Sequence, residues 1–391
     1  MSNKILIIGL GYVGLSQAVL LHKNNNVHVL DINTQKINFI NSNKSPLEEK
    51  EYHDYFSSNE ICIKGYNNLE DIEDDYDFVL ICLPTDFDTE KHELNTGLIE
   101  EYIEFFISKT KSKIIIKSTI PIGFTDFQIQ KYSTNNISFS PEFLREGSSL
   151  NDVMNPSRIV YGPKNSCSLE FNNIVSKSLN HSNYKVRFME SVEAEAVKLF
   201  SNTYLAMRVA FFNEVDSFSL QNNLNSEKII SGISDDNRIG MFYNNPSFGF
   251  GGYCLPKDSR ELSNYLINQN SHAGLINSIN TSNNERKKFI SDYILKKSQG
   301  LIGIYRINMK VNSKNFRESA ILDIIKMLSD SNADFIIYEP LINDDNFEGC
   351  KVIKDLDTFK NISELIISNR IDENILDVKH KVFSRDIFKT D

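Results

Sequence analysis

KILIIGLGYVGL, residues 4–15, decides the fold: an apolar run stops at a Gly-x-Gly-x-x-Gly turn and an apolar-periodic segment continues to about Leu21. Read as strand, glycine turn and helix, this is the opening of a dinucleotide-binding βαβ unit. A second short strand, VHVLD, runs from Val27 to Asp31 and closes on a carboxylate. Gly9, Gly11 and Gly14 permit the tight turn and the close approach of a pyrophosphate, with Tyr12 and Val13 opening the helix. The helix N-terminus supplies N–H groups and the positive end of a dipole. Asp31 can accept both ribose hydroxyls and would repel a 2′-phosphate, which selects NAD over NADP.

Further apolar runs at Phe78 to Leu83 and Ile114 to Ile116 alternate with helical patterns, so the first part of the chain is expected to be a parallel sheet with crossover helices. Two loops end buried strands of that sheet, Leu83-Pro84-Thr85 and Lys117-Ser118-Thr119-Ile120-Pro121. Their hydroxyls can reach a cofactor or simply cap a helix.

From Ser191 to Gln221 there is neither Gly nor Pro, and the segment is read as one long helix with apolar residues on more than one face. Such a helix joins two lobes or packs against its own copy. Near Gly300 the α/β pattern restarts: strand LIGIYRI, a helix from about Phe316 to Leu328, strand DFIIYEP, then ELIISN and HKVFSRD as two more strands. The expected architecture is α/β, two Rossmann-like doubly wound parallel-sheet domains joined by a long central helix. Its three regions are 1–190, 191–295 and 296–391.

Composition sets outer bounds. With 391 residues and about 150 per domain, two or three cores are expected. A net charge of −10 argues against a general nucleic-acid binder. No stretch reaches the roughly 18 apolar residues of a membrane span, and the N-terminal run lacks a cleavage site. The five cysteines, 62, 82, 167, 254 and 350, form no CxxC pair, and the seven histidines show no ligand spacing. A reducing cytoplasm without a disulfide framework or metal site is expected.

FGFGGYCLPKD, residues 248–258, carries the chemistry. Cys254 is the candidate nucleophile, because a thiolate attacks carbonyl carbon and Lys257 would favour that charged form. Glycines 249, 251 and 252 let backbone approach a ligand. The alternative is a small residue packed in a tight turn. In SPEFLREG, Glu142 and Glu146 lie four residues apart and would share one face of a helical turn, or form a surface ion-pair cluster. Lys198 and Asn202, also four apart on the long helix, can point at one spot and hold a developing oxyanion.

GLGYVGL, KSTIPIGFT, SPEFLREG, EAEAVKLFSNTYLAMRVAFFNE, DDNRIG and NNPSFGFGGYCLPKD occur in this order, and together they resemble the UDP-glucose 6-dehydrogenase family within the UDP-glucose/GDP-mannose dehydrogenases, its short bacterial members above all. The resemblance runs from residue 4 to about 388. It implies two NAD per turnover, no metal, and oxidation of a UDP-sugar C6 alcohol to a carboxylate through a thiohemiacetal and thioester on Cys254. It further implies oxyanion roles for Lys198 and Asn202, and handling of water and protons by Asp258, Glu142 and Thr119. Cofactor contacts fall on Gly9, Gly11, Tyr12, Val13, Gly14, Asp31, Lys36, Thr85, Thr119, Glu146, Lys257 and Arg317. UDP-sugar contacts fall on Glu142, Phe143, Leu144, Arg145, Glu146, Lys198 and Asn202, on Asn245, Pro246, Ser247, Phe248, Gly249 and Gly251, and on Lys310 and Arg385. Arg238 would reach a neighbouring subunit's site in a homodimer. Relatives acting on GDP-mannose or a UDP-N-acetylhexosamine, and a non-catalytic nucleotide-sugar-binding protein, are the alternatives. Glucuronate supply for a capsule or other surface polysaccharide is the pathway implied.

Overall fold

A computed structural model describes residues 2–72, 75–179, 181–307 and 319–389. The chain divides into two compact units, Met1–Phe200 and Ser201–Asp391.

The first unit is organised by a six-stranded parallel sheet. Its strands are β1 (Lys4–Ile8), β2 (Asn26–Leu30), β3 (Ile63–Tyr66), β4 (Phe78–Ile81), β5 (Lys113–Ile116) and β6 (Ile137–Phe139), in the order β3-β2-β1-β4-β5-β6. Both faces are covered, which is why β1 is apolar from Ile5 to Ile8: Ile5 and Ile7 enter one core cluster, Leu6 and Ile8 the other. Helix α1 (Tyr12–Leu21) packs on the first of these faces through Leu15, Ala18, Val19 and Leu21. The chain winds from β1 to one edge and from β4 to the other, so the switch point falls between β1 and β4, the place where sheets of this kind bind ligands at their carboxyl ends. Helix α2 (Phe124–Tyr132) follows β5 after the Lys117–Gly123 turn. Strand β7 (Arg158–Tyr161) follows β6 and pairs with a later parallel strand, β8 (Lys185–Phe188).

The long helix is present as α3 (Ser191–Gln221), and its last twenty-one residues belong to the second unit. There α4 (Cys254–Asn268) and α5 (Gly274–Lys297) precede a four-stranded parallel sheet. Its strands are β9 (Ile302–Tyr305), β10 (Phe335–Tyr338), β11 (Leu365–Ile367) and β12 (Val382–Phe383), in the order β10-β9-β11-β12. The expected helix near Leu328 is α6 (Ala320–Asp330); it lays Ile321, Ile324, Ile325 and Leu328 against Ile290 and Ile294 of α5. Each such fully buried side chain is worth about 1.5–3 kcal/mol relative to exposure.

Candidate active site

In the glycine turn the three glycines have three different reasons to be glycine. Gly9 has φ +93°, and a Cβ there would sit 2.6 Å from the Cys82 carbonyl oxygen. A Cβ on Gly14 would sit 1.8 Å from the Gly9 carbonyl oxygen, so helix and turn can close only without a side chain. At Gly11 a Cβ would meet no protein atom within 4 Å. Packing therefore explains the outer two and leaves the middle one to a ligand, which fits the close approach of a pyrophosphate.

The turn is braced from β2. Asp31 accepts from the Leu10 N–H at 2.6 Å and from Asn33 N–H at 2.8 Å, and Lys36 Nζ donates to the Leu10 carbonyl at 2.9 Å. Beside Asp31, Ile32 is 91% exposed, an apolar surface of the kind a flat ring stacks on, which pattern reading had no reason to single out. The Thr85 hydroxyl donates to the Thr119 carbonyl at 2.8 Å and so ties the two strand-end loops together. Val13 is half-buried against the first core cluster.

SPEFLREG is a loop, not a helical turn. Ser140 still extends the sheet, its N–H bonded to the Ile116 carbonyl, and Pro141 disfavours helical geometry in the residue before it. Glu142 and Glu146 consequently find separate partners. Glu142 Oε1 accepts from Lys117 Nζ at 2.5 Å and Gln17 Nε2 at 2.9 Å. Glu146 Oε1 accepts from the Tyr12 hydroxyl at 2.9 Å; burial and that carboxylate push the phenol well above its ordinary value. Arg145 forks onto Asp152, Phe143 lies 4.0 Å beneath the Arg158 guanidinium, and Leu144 packs on the core. Lys198 Nζ donates to the Glu142 carbonyl at 2.6 Å and stands over the Phe143 ring at 5.3 Å.

A further carboxylate of the first unit escaped the motif reading. Glu195, fully buried, accepts from the N–H groups of Gly123 and Thr125 at the start of α2, and burial pushes its carboxyl up to about 7. It holds the end of the KSTIPIG turn that carries Thr119.

In the second unit Cys254 is the first residue of α4 and is exposed. Gly252, at φ +80°, lets the chain turn into that helix, and Gly251 beside it is half-buried. A helix N-terminus favours negative charge on a group placed there. One turn on, Asp258 is fully buried; Oδ1 meets Lys257 Nζ at 2.7 Å and Oδ2 accepts from Asn202 Nδ2 at 2.5 Å. Lys198 and Asn202 thus make their bonds to different partners, a backbone carbonyl and a carboxylate.

The Asn245–Gly249 segment is fixed at each end. Asn245 donates to Asp386 at 2.6 Å and accepts from the N–H groups of Ile387 and Phe388. After Pro246, the Ser247 N–H and hydroxyl bond to Asn213 of α3, and Phe248 stacks on Phe383. Gly249, at φ +150°, has no room for a Cβ beside Lys287. Arg385 forks onto Asp216, which also accepts from Arg286 at 2.5 Å. Burial raises the Asp216 carboxyl, but the two guanidiniums outweigh it and hold it below its ordinary value; burial brings Arg286 down to about 10. Among the described residues two cations share one anion there, which leaves one positive charge in excess in a largely buried cluster.

Arg238 is exposed and paired with Asp236. Lys310 and Arg317 lie outside the described residues. Among the described residues no group of His, Cys, Asp or Glu could hold a metal ion, and no helix is long and apolar enough to cross a membrane.

Three family models cover the chain in order: the NAD binding domain of the UDP-glucose/GDP-mannose dehydrogenase family at residues 3–179, its central domain at 192–285 and its UDP binding domain at 303–389. The chain is 48% identical to a UDP-glucose 6-dehydrogenase of Campylobacter jejuni, over 99% of this chain and all of that one. It is 39% identical to a UDP-glucose 6-dehydrogenase of Streptococcus pneumoniae, over 98% and 99% of the two chains. In fold it matches the UDP-glucose dehydrogenase of Pyrobaculum islandicum with a TM-score of 0.85 at 21% identity, covering 100% of this chain and 95% of that one. On the order of its motifs, the architecture of its two sheets and these matches, the chain belongs to the UDP-glucose/GDP-mannose dehydrogenase family.

Proposed function

We propose that this protein is an NAD-dependent UDP-glucose 6-dehydrogenase, which carries the C6 alcohol of UDP-glucose to the carboxylate of UDP-glucuronate. The observation that carries this reading is Cys254, exposed at the first turn of a helix and one turn ahead of a buried Asp258 held by Lys257 and Asn202. Two NAD molecules, held one after the other by the glycine turn, would each accept one hydride. The alcohol loses a hydride and a proton to become an aldehyde. The Cys254 thiolate adds to that carbon, giving a thiohemiacetal, and loss of the second hydride leaves a thioester. Water then adds to the thioester, the carbon–sulfur bond breaks, and the acid leaves as the thiolate returns.

Lys198 and Asn202 stabilise the oxyanions of these steps. Glu142, with Thr119, takes and returns the protons, and Asp258 holds Lys257 and Asn202 for the attack of water; no described bond reaches Glu142 Oε2, which leaves that oxygen for the purpose. The excess positive charge of the Arg286–Asp216–Arg385 cluster suits a diphosphate, and Lys310 would join Arg385 there while Arg317 meets the cofactor. Tyr204, Phe211 and Phe218 of α3 are each more than half exposed, an apolar stripe that a second copy of the helix would cover, with Arg238 reaching the partner's substrate. The work is placed in the cytoplasm.

Stoichiometry tests the reading. UDP-glucose is expected to give two NADH and one UDP-glucuronate, and Cys254→Ser to bind sugar and cofactor but release no acid. Turnover of another nucleotide sugar with none of UDP-glucose, or full activity of Cys254→Ser, would refute it.

A further inference from the structure

Behind the Glu142 loop, within the first unit, lies a cavity of about 30 Å³ lined by Gln17, Lys117, Glu142, Arg158 and Tyr161 among apolar side chains. A water needs at least about 10–15 Å³ and two or more polar partners. This cavity therefore takes one or two. Two of its lining residues carry buried atoms without a partner, Gln17 Oε1 and the Tyr161 hydroxyl. Buried polar atoms left unbonded are costly, and water is the usual remedy.

Two of the polar side chains around the cavity converge on one oxygen. Lys117, itself buried, spends its ammonium on Glu142 Oε1 and, at 3.1 Å, on the Ser140 hydroxyl, while Gln17 of α1 donates its amino group to the same Oε1. A water donating to Gln17 Oε1 keeps that amide from turning its carbonyl toward the carboxylate, where like charge would repel it. We infer that the cavity is a built water site, and that Lys117 and Gln17 are positioning residues which pin Glu142 Oε1 and so leave Oε2 to take the proton. Resting on the assignment of Glu142 as proton acceptor in thioester hydrolysis, this gives the step its geometry. The attacking water bonds to the thioester carbon as its proton passes to Oε2, and sulfur leaves as thiolate without change of oxidation state.

Chemical quench with intact-mass detection of the acyl-enzyme, alongside kcat and KM, tests it. Lys117→Met is expected to lower kcat by about 100-fold, keep KM for UDP-glucose within about 3-fold and build up the sugar adduct on Cys254, with Lys117→Arg recovering part of the loss. Gln17→Met, close in volume and uncharged, is expected to lower kcat by about 10-fold with the same adduct; should Lys117→Met not fold, this variant decides. Normal turnover and no adduct in the folded variants, while Glu142→Gln accumulates it, would overturn the inference and spare the role of Glu142. Normal turnover in Glu142→Gln as well would overturn both. A crystal structure is expected to show water within hydrogen-bond distance of Gln17 Oε1 and the Tyr161 hydroxyl, and a dry cavity would remove the water from the proposal.

Discussion

Each unit of the protein holds one carboxylate between a lysine and a side-chain amide, and the two are finished differently. Glu142 in the first unit has Lys117 and Gln17; Asp258 in the second has Lys257 and Asn202. Asp258 sits on a helix with a fully buried side chain and gives each partner its own oxygen. Glu142 sits on a loop with its side chain 16% exposed and gives both partners the same oxygen. The first arrangement exhausts the carboxylate; the second leaves half of it in reserve. Asp258 is thus suited to fixing the orientation of Lys257 and Asn202 around Cys254, and Glu142 to exchanging a proton.

Substitutions separate the two. Asp258→Leu removes the buried carboxylate that Lys257 and Asn202 both bond, and unfolding by denaturant is expected to show a loss of about 3–5 kcal/mol; a loss below about 1 kcal/mol would mean that the other contacts of the two side chains suffice. Glu195 offers a third design, a buried carboxylate on backbone N–H groups with no cation. Its folded value, about 7, lies above the ordinary 4.5, so the folded state holds the proton more tightly. Its contribution to stability is therefore lost as pH rises from about 4.5 through 7, by on the order of 3 kcal/mol in total. Glu195→Gln is expected to flatten that part of a stability-against-pH curve, and an unchanged slope would contradict the assignment. Glu142→Gln keeps an acceptor for Lys117 and is expected to change stability by less than about 1 kcal/mol while lowering kcat by about 100-fold. Smallest in stability is Gly11→Ala, expected within about 0.5 kcal/mol of the parent because its Cβ meets nothing, yet with NAD affinity, read by calorimetry, at least about 10-fold weaker. Unaltered affinity would mean the pyrophosphate lies elsewhere.

What could be read in the sequence was what neighbouring residues decide. The glycine turn with its strand and helix, the uninterrupted α3, and a cysteine three residues ahead of Lys-Asp all follow from local spacing; that this cysteine opens a helix does not. The carboxylate holders do not. Lys117 lies inside the quoted KSTIPIGFT, but its partnership with Glu142 depends on β5 and β6 ending side by side, and Gln17 comes to Glu142 from 125 residues away. Asp216 and Arg385 are separated by 169 residues, and nothing near either marks the other. The helical turn expected for SPEFLREG failed because periodicity cannot see that Ser140 is still in the sheet's hydrogen-bonding register. A four-residue spacing joins side chains only where the backbone is already helical.

The clasp of Asn245 on the chain at Asp386, Ile387 and Phe388 bears on biosynthesis. Its side chain bonds to atoms that follow 141 to 143 residues later, so a nascent chain can complete most of both cores and still lack this brace of its Asn245–Gly249 segment. The brace at that segment therefore awaits translation of residues 386–388. A nick that pulled residues 386–388 away would leave that loop without this brace, so on the proposed role of Asn245–Gly249 the integrity of residues 386–388 is expected to show in substrate affinity.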